Sequence, residues 1–310
     1  MTAASTIALL IPAYNAAPWL PRLLASAHAQ SRPFDAIWVY DDCSTDDTAA
    51  VASAHGAQVL RGAVNKGCSA GKNALAAHVD ADWLHFHDAD DELLPNFVEL
   101  ARGWIDRGAP DVVLFNYEYR DNESGKLLAK SHFDHAALTE DPRRYAIQTQ
   151  INPFCGLYRR SAYLASGGYD EDPAVLFNED VAFHIKLAFA GLTFGVENEV
   201  SIINYRIWGS MSGANQHNCL LAHHEVMRRT LAHPDAAPYR ADIAIKLWAV
   251  AGRLAACGDW DSSDRAAMTA HSIAPPDTTA GSKLFRFIAR RRPKIALRVR
   301  ERWIQQFRGR

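Results

Sequence analysis

Short apolar runs at 6–11, 36–40, 57–60, 83–87 and 111–117 alternate with helix-patterned stretches near 18–29, 46–55, 70–79 and 95–107. Few architectures accept that rhythm. Runs of this length without polar alternation bury both faces, and a helix between each pair carries the chain back to start the next strand in the same direction. The expectation is an α/β fold: a Rossmann-like, mostly parallel sheet flanked by helices. In open sheets of this kind ligands gather beyond the carboxyl ends of the strands. The chain places polar clusters there three times: Pro12 to Asn15 after the first run, Asp41–Asp42 after the second, and Asp88 to Asp91 after the fourth.

The third cluster closes the stretch Leu84-His-Phe-His-Asp-Ala-Asp-Asp and sets three carboxylates within four positions. Carboxylates that close repel one another, and a hard divalent cation with oxygen ligands is the usual compensation. Acidic clusters also cap helices and fill solvated turns, and Asp91 stands where it would cap a helix starting near Leu94. His85 and His87 alternate along the preceding strand and read as core histidines rather than ligands.

Five ordered motifs carry a resemblance. They are Ile7 to Asn15, with Pro12, Tyr14 and Asn15; Ile37 to Thr48, with Asp41, Asp42, Ser44 and Asp46; Asn65 to Ala74, with Gly67, Gly71 and Lys72; the Asp88 cluster; and Phe177 to Phe183, with Glu179–Asp180. In this order they resemble the inverting GT-A glycosyltransferases of family 2, over roughly residues 5–213. The resemblance implies that Pro12, Tyr14 and Asn15 meet the nucleoside, and that Asp42 accepts from the ring N–H of a uracil or thymine while Asp41 holds the turn. Lys72 would approach the nucleotide where an Arg is common, without the planar fork of a guanidinium. Asp90 would be the direct ligand of Mn²⁺ or Mg²⁺, with Asp88 on the ribose or a metal-held water and Asp91 in support. Asp180 would be the general base, with Glu179 beside it toward the acceptor. Taken alone, the Glu179–Asp180 pair is equally a pair of acids stabilising a helix N-terminus. Arg206, Ser210 and Ser212 resemble a closing segment on the diphosphate, and Trp208 would lie near the acceptor. One base with no second carboxylate nucleophile implies inversion. The family's processive synthases carry Gln-x-x-Arg-Trp and transmembrane helices, and neither occurs here, so one sugar is expected per acceptor encounter.

The expected organisation is a glycosyltransferase domain over 1–214, with a nucleotide-sugar half at about 1–117 and an acceptor half at about 118–214. A helical region over 215–310 follows, including a hairpin at 241–257 and 262–272. Residues 118–155 read as loops. Cys43, Cys68, Cys155, Cys219 and Cys257 are scattered and never paired as Cys-x-x-Cys, which suits a reducing compartment. No signal peptide and no run of eighteen apolar residues is visible, so a cytoplasmic protein is expected, or one bound peripherally at the cytoplasmic face of the inner membrane. From Lys283 to Arg310 eleven Lys/Arg face one acid, Glu301, among interspersed aromatics and aliphatics. Such a tail suits an anionic membrane surface, a helix packed on its own domain, or nucleic acid, the last not expected as a partner. The expected partners are a UDP-sugar donor and a glycan or lipid-linked acceptor. Two other readings are a sugar-phosphate nucleotidyltransferase, which the Pro-Ala-Tyr-Asn strand end disfavours, and a non-catalytic nucleotide- or sugar-binding protein of this fold.

Overall fold

The computed structural model describes residues 4–207, 215–274, 276 and 282–308. Trp208, Ser210 and Ser212, singled out above, lie outside the described residues. The chain gathers into two compact units. The first takes Met1–Tyr145, Ile151–Glu171 and Lys186–Ser210; the second takes Ala146–Gln150, Asp172–Ile185 and Met211–Arg310. A single boundary at 214/215 does not describe this grouping, because 146–150 and 172–185 go with the C-terminal helices.

In the first unit β1 (Ile7–Ala13), β2 (Ala36–Asp41), β3 (Gln58–Arg61) and β4 (Trp83–Phe86) run parallel in the order β3-β2-β1-β4. Helices α1 (Leu20–His28), α2 (Thr48–Ala54) and α3 (Cys68–His78) connect them. The i, i+3, i+4, i+7 pattern that marks an amphipathic helix is visible in α1, which buries Leu20, Leu23, Leu24 and Ala27. All but one residue of β1 is buried, as a central parallel strand requires. The register sets Ala13 opposite Asp41 and Leu10 opposite Phe86, so Asn15, Asp42 and Asp88 leave the sheet along one edge.

Beyond β4 the sheet is mixed. β5 (Glu92–Leu93) and α4 (Phe97–Asp106) lead to β6 (Val112–Asp121), then β7 (Leu127–Ser131), α5 (His135–Glu140), α6 (Pro142–Gln148), β8 (Gly156–Arg159) and α7 (Arg160–Ala165). α8 (Glu179–Phe189) precedes β9 (Phe194–Arg206). β8 runs antiparallel between β4 and β6, β9 is parallel to β6, and β5 pairs antiparallel with the outer side of β9. The loops expected over 118–155 are therefore corrected to the end of β6, the edge strand β7 and two short helices. The N-cap position of α4 is Asn96, so of the two readings of Asp91, support of the cluster or a helix cap, the cap does not hold.

The second unit holds α9 (Gln216–Leu231), α10 (Arg240–Ala256), α11 (Trp260–Ile273), α12 (Lys283–Ala289) and α13 (Pro293–Arg308). The hairpin of α10 and α11 turns at Gly258, whose φ of 81° lies in the left-handed region that glycine tolerates. Small residues on both helices, Ala251, Ala266, Ala267 and Ala270, are buried, and the Ser263 hydroxyl donates to Ala251 O at 2.8 Å.

Candidate active site

The turn after β1 and the turn after β2 are fastened to each other by side chains. Asn15, with φ 49°, accepts from Thr45 N–H at 2.9 Å through Oδ1, and its own N–H donates to the Ser44 hydroxyl at 2.9 Å. Asp46 accepts from Ala17 N–H at 3.1 Å and Thr48 N–H at 3.0 Å. Asp41 is fully buried and holds the turn as expected: Oδ1 accepts from Ser44 N–H at 2.9 Å and Oδ2 from Arg61 Nε at 3.1 Å. Tyr14, by contrast, is 51% exposed just beyond the end of β1. Asn15, grouped with the nucleotide-sugar residues from sequence, spends its side chain on this clamp.

Asp42 is buried and grips the next loop. Its two oxygens accept from the N–H groups of Lys66 at 2.9 Å and Gly67 at 2.7 Å. Gly67 has φ 88°, and Gly71, one turn into α3, passes so close to β2 that a Cβ there would lie 2.8 Å from the Tyr40 ring and 3.4 Å from Pro12. The two glycines of the motif thus have separate reasons. Lys72 is 1% exposed, with its Nζ 4.7 Å from the centroid of Tyr169, a cation–π arrangement. Asn73, unremarked in the sequence, is the hub beside it. Its Oδ1 accepts from Tyr163 OH at 2.7 Å and Tyr169 N–H at 2.8 Å, and its Nδ2 donates to Glu171 at 2.7 Å.

In the acidic cluster the three carboxylates divide. Asp91 is fully buried and fastens β9: Oδ2 accepts from Asn204 Nδ2 and Oδ1 from Tyr205 N–H, both at 2.8 Å. Burial raises its pKa well above the ordinary carboxylate range, and the charges of Asp90 and Asp88 add to the rise. Burial also raises Asp90, against the pull of Arg22. Arg22 is a second residue that sequence reasoning missed. It donates to Asp90 O and, at 2.9 Å, to Asn122 Oδ1, and lies 3.8 Å over the Tyr205 ring. Asp88 and Asp90 are partly exposed. Among the described residues no three His, Cys, Asp or Glu side chains converge to hold an ion by themselves. The donor set is a pair of carboxylates whose repulsion a cation would relieve, which fits Mn²⁺ or Mg²⁺ completed by substrate phosphates.

Behind the cluster, His85 and His87 form a buried chain. His85 Nδ1 meets Gly156 O at 2.9 Å and must donate there, so its Nε2 accepts from His87 Nδ1 at 3.0 Å. Burial holds both neutral, with the pKa of His85 pushed down to about 4 and that of His87 well below its ordinary value. They are core histidines, as the alternation predicts. Arg206 ends β9 and is exposed.

Glu179 and Asp180 belong to the second unit and open α8. Asp180 Oδ2 accepts from Gln150 Nε2 at 3.1 Å and its Oδ1 from Val181 N–H at 2.9 Å, so the carboxylate is oriented from two sides. His184 Nδ1 donates to Asp180 O at 2.8 Å one turn later. Just before the pair, Phe177 adopts φ 72°, rare for a bulky residue. Asn178 secures that turn: its Nδ2 donates to Cys219 O at 2.7 Å, and its Oδ1 accepts from His223 Nδ1 at 3.0 Å. Oε2 of Glu179 is buried and has no hydrogen-bond partner among the described residues.

The sheet with its polar carboxyl edge is the GT-A architecture, and solved structures share it. S. aureus TarS 1–349 in complex with UDP-GlcNAc superposes with a TM-score of 0.74 at 17% identity, covering 97% of this chain and 92% of that one. The mannosyltransferase PcManGT from Pyrobaculum calidifontis, in complex with GDP-Man and Mn²⁺, gives 0.60 at 16% identity, covering 97% and 88%. At these identities the likeness is one of fold. The sequence itself places the chain: it matches Glycosyl transferase family 2 over residues 8–165, and it belongs to that family of glycosyltransferases. It is also 30% identical over 94 residues to an uncharacterized glycosyltransferase of Haemophilus influenzae, spanning 30% of this chain and about a third, 32%, of that relative.

Proposed function

We propose that this enzyme transfers one sugar from a UDP-sugar to a hydroxyl of a cell-surface glycan or lipid-linked precursor, with inversion and at the cytoplasmic face of the inner membrane. The observation that carries the donor half is the gathering, along one sheet edge, of an exposed Tyr14, the Asp42-gripped loop and the Asp88–Asp90 pair. Tyr14 and Pro12 pack on the base. Each Asp42 oxygen retains a second lone pair, so the carboxylate accepts from a pyrimidine ring N–H while still holding Lys66 and Gly67. Lys72 and Arg206 supply positive charge toward the diphosphate. TarS with UDP-GlcNAc and PcManGT with GDP-Man and Mn²⁺ support a nucleotide-sugar donor and a divalent ion. That ion, held by Asp88 and Asp90, would neutralise charge on the diphosphate.

Asp180 takes the proton of the acceptor hydroxyl, whose oxygen attacks the anomeric carbon as the nucleoside diphosphate leaves with the bonding electrons. One displacement inverts the centre. Gln150 and Val181 N–H aim the base, and Glu179 and Trp208 meet the acceptor. Asp180→Asn preserves shape and removes basicity, so it should lower kcat on the order of 10²–10⁴-fold while leaving UDP affinity nearly unchanged. Loss of UDP binding in that variant would remove Asp180 from the role of base.

A further inference from the structure

Residues 283–308 form two helices, α12 and α13, joined at Arg290–Arg292. Phe285, Ala289, Ala296 and Leu297 are buried, and the Phe285 ring meets Trp248 of α10 edge-on at 6.2 Å. Between the helices lies a cavity of about 370 Å³ lined by Leu284, Phe285, Ile288, Val299, Trp303 and Ile304. Five large apolar side chains are exposed: Leu284 (63%) and Phe287 (62%) on α12, and Ile295 (49%), Val299 (42%) and Trp303 (62%) on α13. The last three recur every four residues and so form one stripe. Leu284, Val299 and Trp303 also line the cavity, so cavity and stripe share a wall. A contiguous exposed apolar patch of this kind marks a site of interaction.

The cations around the patch fall into two groups. Arg298 forks onto Asp264 of α11 at 2.8 and 3.0 Å, Lys294 lies 3.8 Å from the same carboxylate, and Arg300 pairs with the buried Glu301 at 2.6 Å. These fasten the hairpin to its own unit. Among the described residues no acid pairs with Lys283, Arg290, Arg292 or Arg302, and Arg291 stacks over Phe287 at 5.0 Å. Exposed hydrocarbon flanked by uncompensated positive charge is complementary to the headgroup boundary of an anionic bilayer. Nucleic acid would satisfy the arginines but not Leu284, Ile295 and Val299.

We infer that the α12–α13 hairpin is the surface by which this enzyme docks on anionic lipid. Phe287, Trp303 and the aliphatic stripe enter the headgroup boundary, the cavity receives part of an acyl chain, and Lys283, Arg290, Arg292 and Arg302 meet lipid phosphates. This deepens the membrane-side reading above by naming the surface. The test is co-sedimentation of the full chain with vesicles of phosphatidylglycerol and phosphatidylcholine, or of phosphatidylcholine alone, with UDP affinity measured on the same preparations. Wild type should partition onto the anionic vesicles at least about tenfold better than onto neutral ones. Phe287→Ser with Trp303→Ser, and separately Arg290→Gln with Arg292→Gln, should each lose about tenfold, while an equal charge loss at Arg32 and Lys126 should not. All six side chains, those of the two hairpin pairs and of the control pair, are exposed, so UDP affinity should hold throughout. Equal partitioning onto both vesicle types, no effect of the hairpin variants, or binding to duplex RNA in place of vesicles would overturn the proposal. Failure of UDP to bind any variant, with vesicle binding intact, would instead count against the donor reading.

Discussion

Asp42 receives two backbone N–H groups from a loop whose conformation depends on them, so its side chain matters before any ligand arrives. Asp42→Ala leaves both donors without their partner and should cost about 2–3 kcal/mol of stability, seen as a lowered unfolding midpoint, together with weaker UDP binding. A variant with unchanged stability would show that the grip is dispensable. His85 and His87 give a pH prediction. Both have folded pKa values below the ordinary 6.5, so the unfolded chain takes up protons that the folded chain refuses as pH falls from about 6.5 toward 4. Their contribution to stability is full above that window and is lost through it, at about 1.4 kcal/mol per pH unit for each fully shifted group. Asp90 and Asp91 act in the opposite sense, because raised carboxyls bind protons first in the folded state. Imidazole ¹⁵N shifts separate the two effects: both rings should stay neutral in folded protein at pH 5.5, and a protonated His85 there would contradict the buried chain. That Tyr14, Asp42, Asp88 and Asp90 lie along one sheet edge was legible in the sequence, because strand ends in an α/β sheet converge. Arg22, Asn73 and Asn204 were not, since their roles arise only when α1, α3 and β9 are brought against other elements.

At the scale of elements, the turn before α8 depends on α9. Asn178→Ala removes the bonds to Cys219 and His223, releases a strained Phe177, and should lower kcat about tenfold or more with UDP affinity kept. Equal loss in both would indicate general unfolding instead. Gly168 is a second fixed point: with φ 63° and a Cβ position 2.3 Å from Asn73 Oδ1, Gly168→Ala should cost about 2 kcal/mol or more by thermal unfolding, through strain and a broken Asn73 hub. The early strands and helices follow their sequence patterns to within about two residues, the usual fraying of element ends. β7 and β8 did not show. β7 is a largely exposed edge strand with no buried alternation, and β8 is four residues whose place between β4 and β6 is set by long-range pairing rather than by local pattern. Likewise Asp91 looked like a cap because its partners on β9 lie more than a hundred positions away.

For the whole molecule, membership of glycosyltransferase family 2 fixes the reaction class, and the ordered motifs carried that in the sequence. The grouping of 146–150 and 172–185 with the C-terminal helices was not legible, because it is written in contacts across the chain rather than in composition. No described helix is long and apolar enough to cross a membrane. The proposed transfer of one sugar per acceptor encounter predicts one added sugar per acceptor by mass spectrometry after incubation with a single donor and acceptor, and a long homopolymer would contradict it. The central claim is that one sheet edge holds a uridine diphosphate with a divalent ion on Asp88 and Asp90. It is tested most directly by calorimetric titration of UDP, with and without Mn²⁺, into wild type and Asp90→Ala. Binding should be tight only with metal and only in wild type; UDP binding that ignores both the ion and the substitution, or no binding at all, would contradict that site.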